Sequence, residues 1–176
     1  MHSPESKRIL LFIPILLFLH NVEEAITMPQ WMNANLPILQ QKIPLFQFLE
    51  FSVSQLYVSL TLVTIIPILI SFFCLRGELT PRKTAVMQTL QSIIFWNALM
   101  PHLSGIMLLG FYNPGAITAI VCTIPFSIYL YHKTISSNEE IFRQIPFRKI
   151  VITGGIIYLP LVSINHLIAT TISLLF

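Results

Sequence analysis

The chain has 176 residues, 55% of them hydrophobic and only 10% charged, with a mean hydropathy of +0.77; a soluble domain carries roughly 25% charged residues, so water is excluded as the solvent for most of this surface. Apolar runs of about 20 residues, each long enough to cross a bilayer, occupy most of the chain and leave no room for a separate soluble domain. The net charge of +3 comes from short basic clusters between those runs rather than from one patch, which excludes nucleic acid and leaves the lipid bilayer as the expected partner.

The first run follows Lys7 and Arg8 and ends at Thr27, before Pro29, giving span 8–27. A signal peptide also begins with a basic and then an apolar region. No small-x-small cleavage site follows here, however, and His20, Glu23 and Glu24 interrupt the run. Residues 28–52 carry Pro29, Pro37 and Pro44 together with Trp31, Ile43, Phe46, Phe48 and Phe51, the make-up of an outer interfacial loop that partly covers the bundle.

Further spans are expected at 53–75, 81–111, 115–132 and 150–176, in a single domain covering 1–176. Thr80 before Pro81 is a helix start, because Thr can cap and proline lacks only an amide hydrogen that would be unpaired anyway. Tyr112-Asn113-Pro114-Gly115 is a tight turn. Between 133 and 149, Ser137 and Glu140 have capping-box spacing before Ile141, Phe142 and Ile145, which predicts a short interfacial helix.

The fold class is thus an all-α polytopic membrane bundle of about five helices. With the N-terminus inside, every Lys and Arg except Lys42 falls on the inner side, so the positive-inside rule sets the orientation. The odd number of spans then puts the C-terminus outside. The expected location is a cell membrane, the cytoplasmic membrane if the source is bacterial. Cys74 and Cys122 have neither the spacing nor the depth of a disulfide or thiolate metal site. Each span also holds an interior proline, and Pro101 stands out because the carbonyl it frees belongs to Asn97.

The local motif that carries chemistry is His20-Asn21-Val22-Glu23-Glu24. Three- and four-residue spacing on a helix lets one imidazole and two carboxylates share a face, as in the Glu-x-x-His pairs of carboxylate metal sites. Ionisable groups inside a span are costly, by roughly 2.5–3.5 kcal/mol for a central Asp, so two adjacent carboxylates need a reason. At 1.5 Å per residue from the inner basic residues, His20 lies ~18 Å and Glu24 ~24 Å deep, Asn97 ~21 Å, His102 ~28 Å and His166 ~25 Å. Thr61, Thr64 and Thr118 fall at ~18–22 Å on the same ruler. Three spans thus bring ionisable or amide groups to one layer in the outer half, whereas His2 and His132 sit at membrane edges.

Three readings compete for this layer. In the first, His20, His102 and His166 hold a divalent metal, Zn or Fe, with one of Glu23 and Glu24, Glu24 being named as the ligand, while the other acts as general base and Asn97 orients a substrate or ligand. In the second, a metal-free proton relay or binding site serves a transporter or lipid-binding protein. The third is hydrogen bonding between helices, including the docking of another membrane protein. The first leads to a metal-dependent hydrolase of a lipid or other apolar substrate, gated by the outer loop. The Ser163, His166, Thr170 and Ser173 stripe is better read as interhelical hydrogen bonding, and Trp96 is either a core aromatic or a substrate wall.

His20-Asn21-Val22-Glu23-Glu24, Asn97 with His102, and Tyr112-x-Pro114-Gly115-x-x-Thr118 together resemble the bacterial membrane proteins named for an HXXEE motif. The resemblance covers most of the chain. It implies that these residues act as a set and, because that family has no established activity, it implies no reaction.

Overall fold

The computed structural model describes residues 4–42 and 52–174, and all regular structure among them is helical. The helices are α1 (Pro4–Lys42), α2 (Val53–Leu75), α3 (Pro81–Leu109), α4 (116–136), α5 (Glu140–Arg143) and α6 (Phe147–Ser173). Four of them, α1, α2, α3 and α6, are long and apolar enough to cross a membrane. At 1.5 Å per residue α4 is also about 30 Å long.

The helix starts follow local chemistry where a cap is present. Thr80 accepts a hydrogen bond from the Lys83 amide at 3.3 Å, with Pro81 in the first turn of α3. Before α5 the expected capping box does not form. Glu139 is the N-cap, and Ser137 Oγ accepts from the Glu139 amide. Ile141 and Phe142 also leave the expected interface, because they are buried against Leu10, Leu79 and Met87 in the main core.

The largest departure from the sequence reading is α1. It does not stop at Thr27 but continues through Pro29 and Pro37 to Lys42, so residues 28–42 are helix rather than interfacial loop. Residues 43–51, the rest of the expected loop, lie outside the described residues. A proline in a helix frees the carbonyl four residues back, and for Pro29 that carbonyl, on Ala25, is met by the Tyr57 hydroxyl at 3.5 Å. Packing then holds the extension: Met32 and Leu39 are buried with Leu109, and Trp31 donates to the Tyr112 carbonyl at 2.6 Å.

One end of the bundle gathers the basic connections. Lys133 pairs with Glu5 at 2.5 Å, Lys7 donates to the Gly77 carbonyl, and Lys83 donates to the carbonyls of Arg76 and Glu78. Above this end, Leu10, Ile13 and Leu17 of α1 pack against Leu90 and Ile94 of α3 and Leu130 of α4. Helices α2 and α6 are peripheral and expose Ile66, Phe72, Phe73, Ile156 and Leu167, apolar surface suited to lipid. Helix α6 approaches α3 closely because Gly154 and Gly155 leave room for Ser92 and Trp96, whose hydroxyl and indole N–H both donate to the Val151 carbonyl. Trp96 is therefore a packing residue of the α3–α6 contact.

Both α3 and α4 contain a widened π-helical turn, Ala98–Leu103 and Ala119–Thr123, and the two turns pack against each other. In an α-helix, residues five apart point about 140° away from each other; where hydrogen bonds run to the fifth residue they return to one side. The turn in α3 begins just after Asn97 and includes Pro101, which cannot donate to the Asn97 carbonyl. It brings Asn97 and His102 to the same point.

Candidate metal centre

The buried stripe of α1 runs Leu10, Ile13, Leu17 and His20, with Glu24 one helical step further. The alternating three- and four-residue spacing keeps His20 and Glu24 on the face that meets α3. There His20 Nε2 lies 3.0 Å from His102 Nε2, with the two rings edge to face, and Glu24 Oε1 lies 3.5 Å from His102 Nε2. His20, Glu24 and His102 each present a ligand atom, all within 4.8 Å of one another, so the group could hold a metal ion. Both imidazoles are almost fully buried.

The outward nitrogens fix the chemistry of the inward ones. His102 Nδ1 is 2.7 Å from the Pro114 carbonyl, which only accepts, so Nδ1 carries the hydrogen and a neutral ring leaves Nε2 bare. His20 Nδ1 is 2.9 Å from Thr118 Oγ1, whose own hydroxyl hydrogen goes to Glu23 Oε2 at 2.6 Å. Nδ1 of His20 is then the donor there too. Two bare lone pairs therefore face each other across 3.0 Å. Metal-binding histidines have this arrangement, with the remote N–H held by a carbonyl or another acceptor.

Asn97 closes the group from α3. Its Nδ2 is 3.3 Å from His20 Nε2 and 3.2 Å from His102 Nε2, and its Oδ1 accepts from the Tyr158 hydroxyl of α6 at 3.2 Å. Nothing in the sequence singled out Tyr158, an isolated tyrosine in an apolar run.

Glu23 turns away from this group. Oε1 accepts from the Tyr112 hydroxyl at 2.8 Å and the Ile117 amide at 3.2 Å, and Oε2 accepts from the amide and the hydroxyl of Thr118 at 2.8 and 2.6 Å. All four neighbours are donors, matching an ionised carboxylate, which only accepts. Two of them are among the first amides of α4, which have no partner within the helix. Glu23 thus caps α4, and only Glu24 of the adjacent pair faces the imidazoles.

The turn before α4 supplies the remaining wall. Asn113 Nδ2 donates to the Pro101 carbonyl at 2.6 Å, tying the turn to the π-helical segment that carries His102. Gly115 has φ +79°, and a Cβ there would lie 2.6 Å from His102 Cε1 and 2.8 Å from His20 Cε1. The two rings occupy the space that any other residue would fill.

His166 does not join the group; it is exposed on α6. Its neighbour Asn165 donates to Ser59 of α2, and the next residue on a helix points about 100° further round. In the same stripe Thr170 accepts from Gln55 of α2 at 3.3 Å, while Ser163 and Ser173 bond to backbone carbonyls of their own helix. Cys74 and Cys122 are free thiols.

Comparison with known proteins follows the same residues. A family model described as "Protein of unknown function with HXXEE motif" matches residues 11–130, a stretch that includes His20, Glu23, Glu24, Asn97, His102 and Thr118. The chain is 26% identical over 156 residues to "Uncharacterized protein YrkK" of Bacillus subtilis (strain 168), covering 88% of this chain and 91% of that protein. No solved structure matches.

Proposed function

The chain belongs to the family of proteins of unknown function with an HXXEE motif, and from that premise we propose that the motif's His20 and Glu24 join His102 in an intramembrane site for a divalent metal, Zn or Fe. The observation that carries this is the pair of imidazole Nε2 atoms 3.0 Å apart with both Nδ1 atoms already committed. Two lone pairs held that close call for a cation between them, and Glu24 would offset its charge. Turning the Asn97 amide over would present Oδ1 to the ion and Nδ2 to the Tyr158 oxygen, a fourth ligand without backbone movement.

The chain crosses the membrane five times in this reading, with the N-terminus and the basic end of the bundle inside. The centre then lies in the outer half of the bilayer, and the reaction it suits is hydrolysis of a lipid or other apolar ester or amide. A metal bound there would supply Lewis acidity toward water; Glu24 would take the water's proton as its oxygen bonds to the carbonyl carbon, and would give that proton to the alcohol or amine that leaves as the C–O or C–N bond breaks. Glu23 is not the base, because its four hydrogen bonds occupy it.

The Asn97 amide supports a second reading, in which its two hydrogens satisfy the bare nitrogens and the site binds a proton or polar headgroup without metal. Elemental analysis of protein purified in detergent without chelator separates the two. About one divalent ion per chain is expected in the wild type and in His166→Ala, and none in folded His20→Ala or Glu24→Gln. Metal-free wild type would overturn the metal centre and leave the binding reading.

A further inference from the structure

A centre that hydrolyses its substrate inside a bilayer must be supplied with water, and a second polar feature of the bundle leads to it from the basic end. Along α3, Thr84, Gln88 and Gln91 are buried at helical spacing, and α4 buries Thr134, Ser127 and Thr123. Gln88 Nε2 donates to Thr134 Oγ1 and Gln91 Nε2 donates to Ser127 Oγ, each at 2.7 Å. Apolar residues would pack such an interface with less cost, so a polar row there needs an occupant or a purpose.

The row is not satisfied by protein alone. Among the described residues, Gln88 Oε1 and Thr123 Oγ1 of this row are buried without a hydrogen-bond partner, as is Ser71 Oγ on α2. Tyr131 stands on the same face of α4, between Ser127 and Thr134, with its ring against Phe95 of α3 and Phe147 of α6. Such groups in a polar interior are where buried waters are held, each making two to four hydrogen bonds. The row also reaches the centre. Thr123 ends the π-helical turn of α4, so it shares a side with Thr118, five residues earlier, whose hydroxyl holds His20.

We propose that this seam holds a file of buried waters running from the basic end of the bundle to the His20–His102–Glu24 centre, and that it delivers the water consumed there. The file itself follows from the seam; its role as a supply rests on the hydrolytic reading. Water would enter beside Gln88 and Thr134, pass Tyr131 and Gln91, and reach Thr123 one widened turn below Thr118.

X-ray-generated hydroxyl radicals, formed from water at the protein, test the file directly. In detergent-purified protein, Tyr131 should be oxidised although it is buried, while its neighbour Leu130, packed in the dry core with Leu10 and Ile13, should not. Thr123→Val and Gln88→Leu, which remove unpaired oxygens while keeping volume, should abolish that labelling and leave the thermal midpoint at or above the wild-type value. Labelling of Tyr131 no greater than that of Leu130, each scaled to the reactivity of its free amino acid, would overturn the proposal, as would labelling undiminished in the double variant. Metal content measured on the same samples keeps the two ideas apart: a labelled seam in metal-free protein removes only its role, and a dry seam beside a loaded centre removes only the file.

Discussion

Gly115→Ala is expected to empty the centre. The residue lies at φ +79°, where an L side chain costs about 1–2 kcal/mol, and its new methyl would stand 2.6 to 2.9 Å from atoms of both imidazoles. Neither ring can retreat freely, since His102 is held by the Pro114 carbonyl and His20 by Thr118. Overpacking of this kind adds about 1–3 kcal/mol, or moves the rings off their ligand positions. Metal should fall from about one ion per chain to near zero, with a lower thermal midpoint. Gly110→Ala is the matched control, because Gly110 has the same φ of +79° but open space around its Cβ. It should lose some stability and keep its metal. Equal metal in both variants would mean that the rings do not form the centre where they stand.

The two adjacent glutamates are expected to separate cleanly under substitution. Glu23→Ala removes four hydrogen bonds at once and leaves two α4 amides without their acceptor, for a loss of about 2–4 kcal/mol in unfolding free energy. It should also weaken metal binding about 10–100-fold, since Thr118 loses the acceptor that orients it toward His20. Glu24→Ala breaks one 3.5 Å contact and no backbone cap. Its metal should be lost outright, while its midpoint stays near that of the wild type when both are compared free of metal. Denaturation in mixed micelles followed by elemental analysis reads both quantities, and a Glu24 variant less stable than the Glu23 variant would reverse the assignment.

The partners of these residues show what the sequence could and could not reveal. That the chain is helical and membrane-compatible, and that His20, Glu24, Asn97 and His102 belong to one level, followed from apolar run lengths and a rise of 1.5 Å per residue. Depth, however, says nothing of azimuth. His166 falls at this level on the same ruler, yet it is exposed on α6 eight residues beyond Tyr158, which meets Asn97, and the Asn165–Ser59 bond turns it aside. The division of labour between Glu23 and Glu24 was hidden for a related reason, because it depends on where a helix 90 residues downstream begins. The end of α1 was misplaced at Pro29 because proline's local penalty was weighed without the Leu109 and Tyr112 contacts that hold the next turns. The π-helical turns left one trace in the sequence, a proline four residues after an asparagine in the polar layer, but local propensity does not distinguish a kink from a widened turn.

Those widened turns make residue count part of the specification of the centre. Each holds one residue more than an α-helical turn would accommodate, so the chain is longer here than a simple span of the same height. Deleting one residue between Ala98 and Pro101 would let the helix close regularly with His102 four residues from Asn97, about 40° round and still on its side, whereas inserting one more would carry His102 off that side. Dropping one residue from the connection at 137–139 would leave that alignment untouched. Relatives that share the centre should therefore tolerate changes of length between helices while keeping the interval from Asn97 to His102, and from Gly115 to Thr123, either as here or one residue shorter and never longer, a tally that can be made on sequences alone.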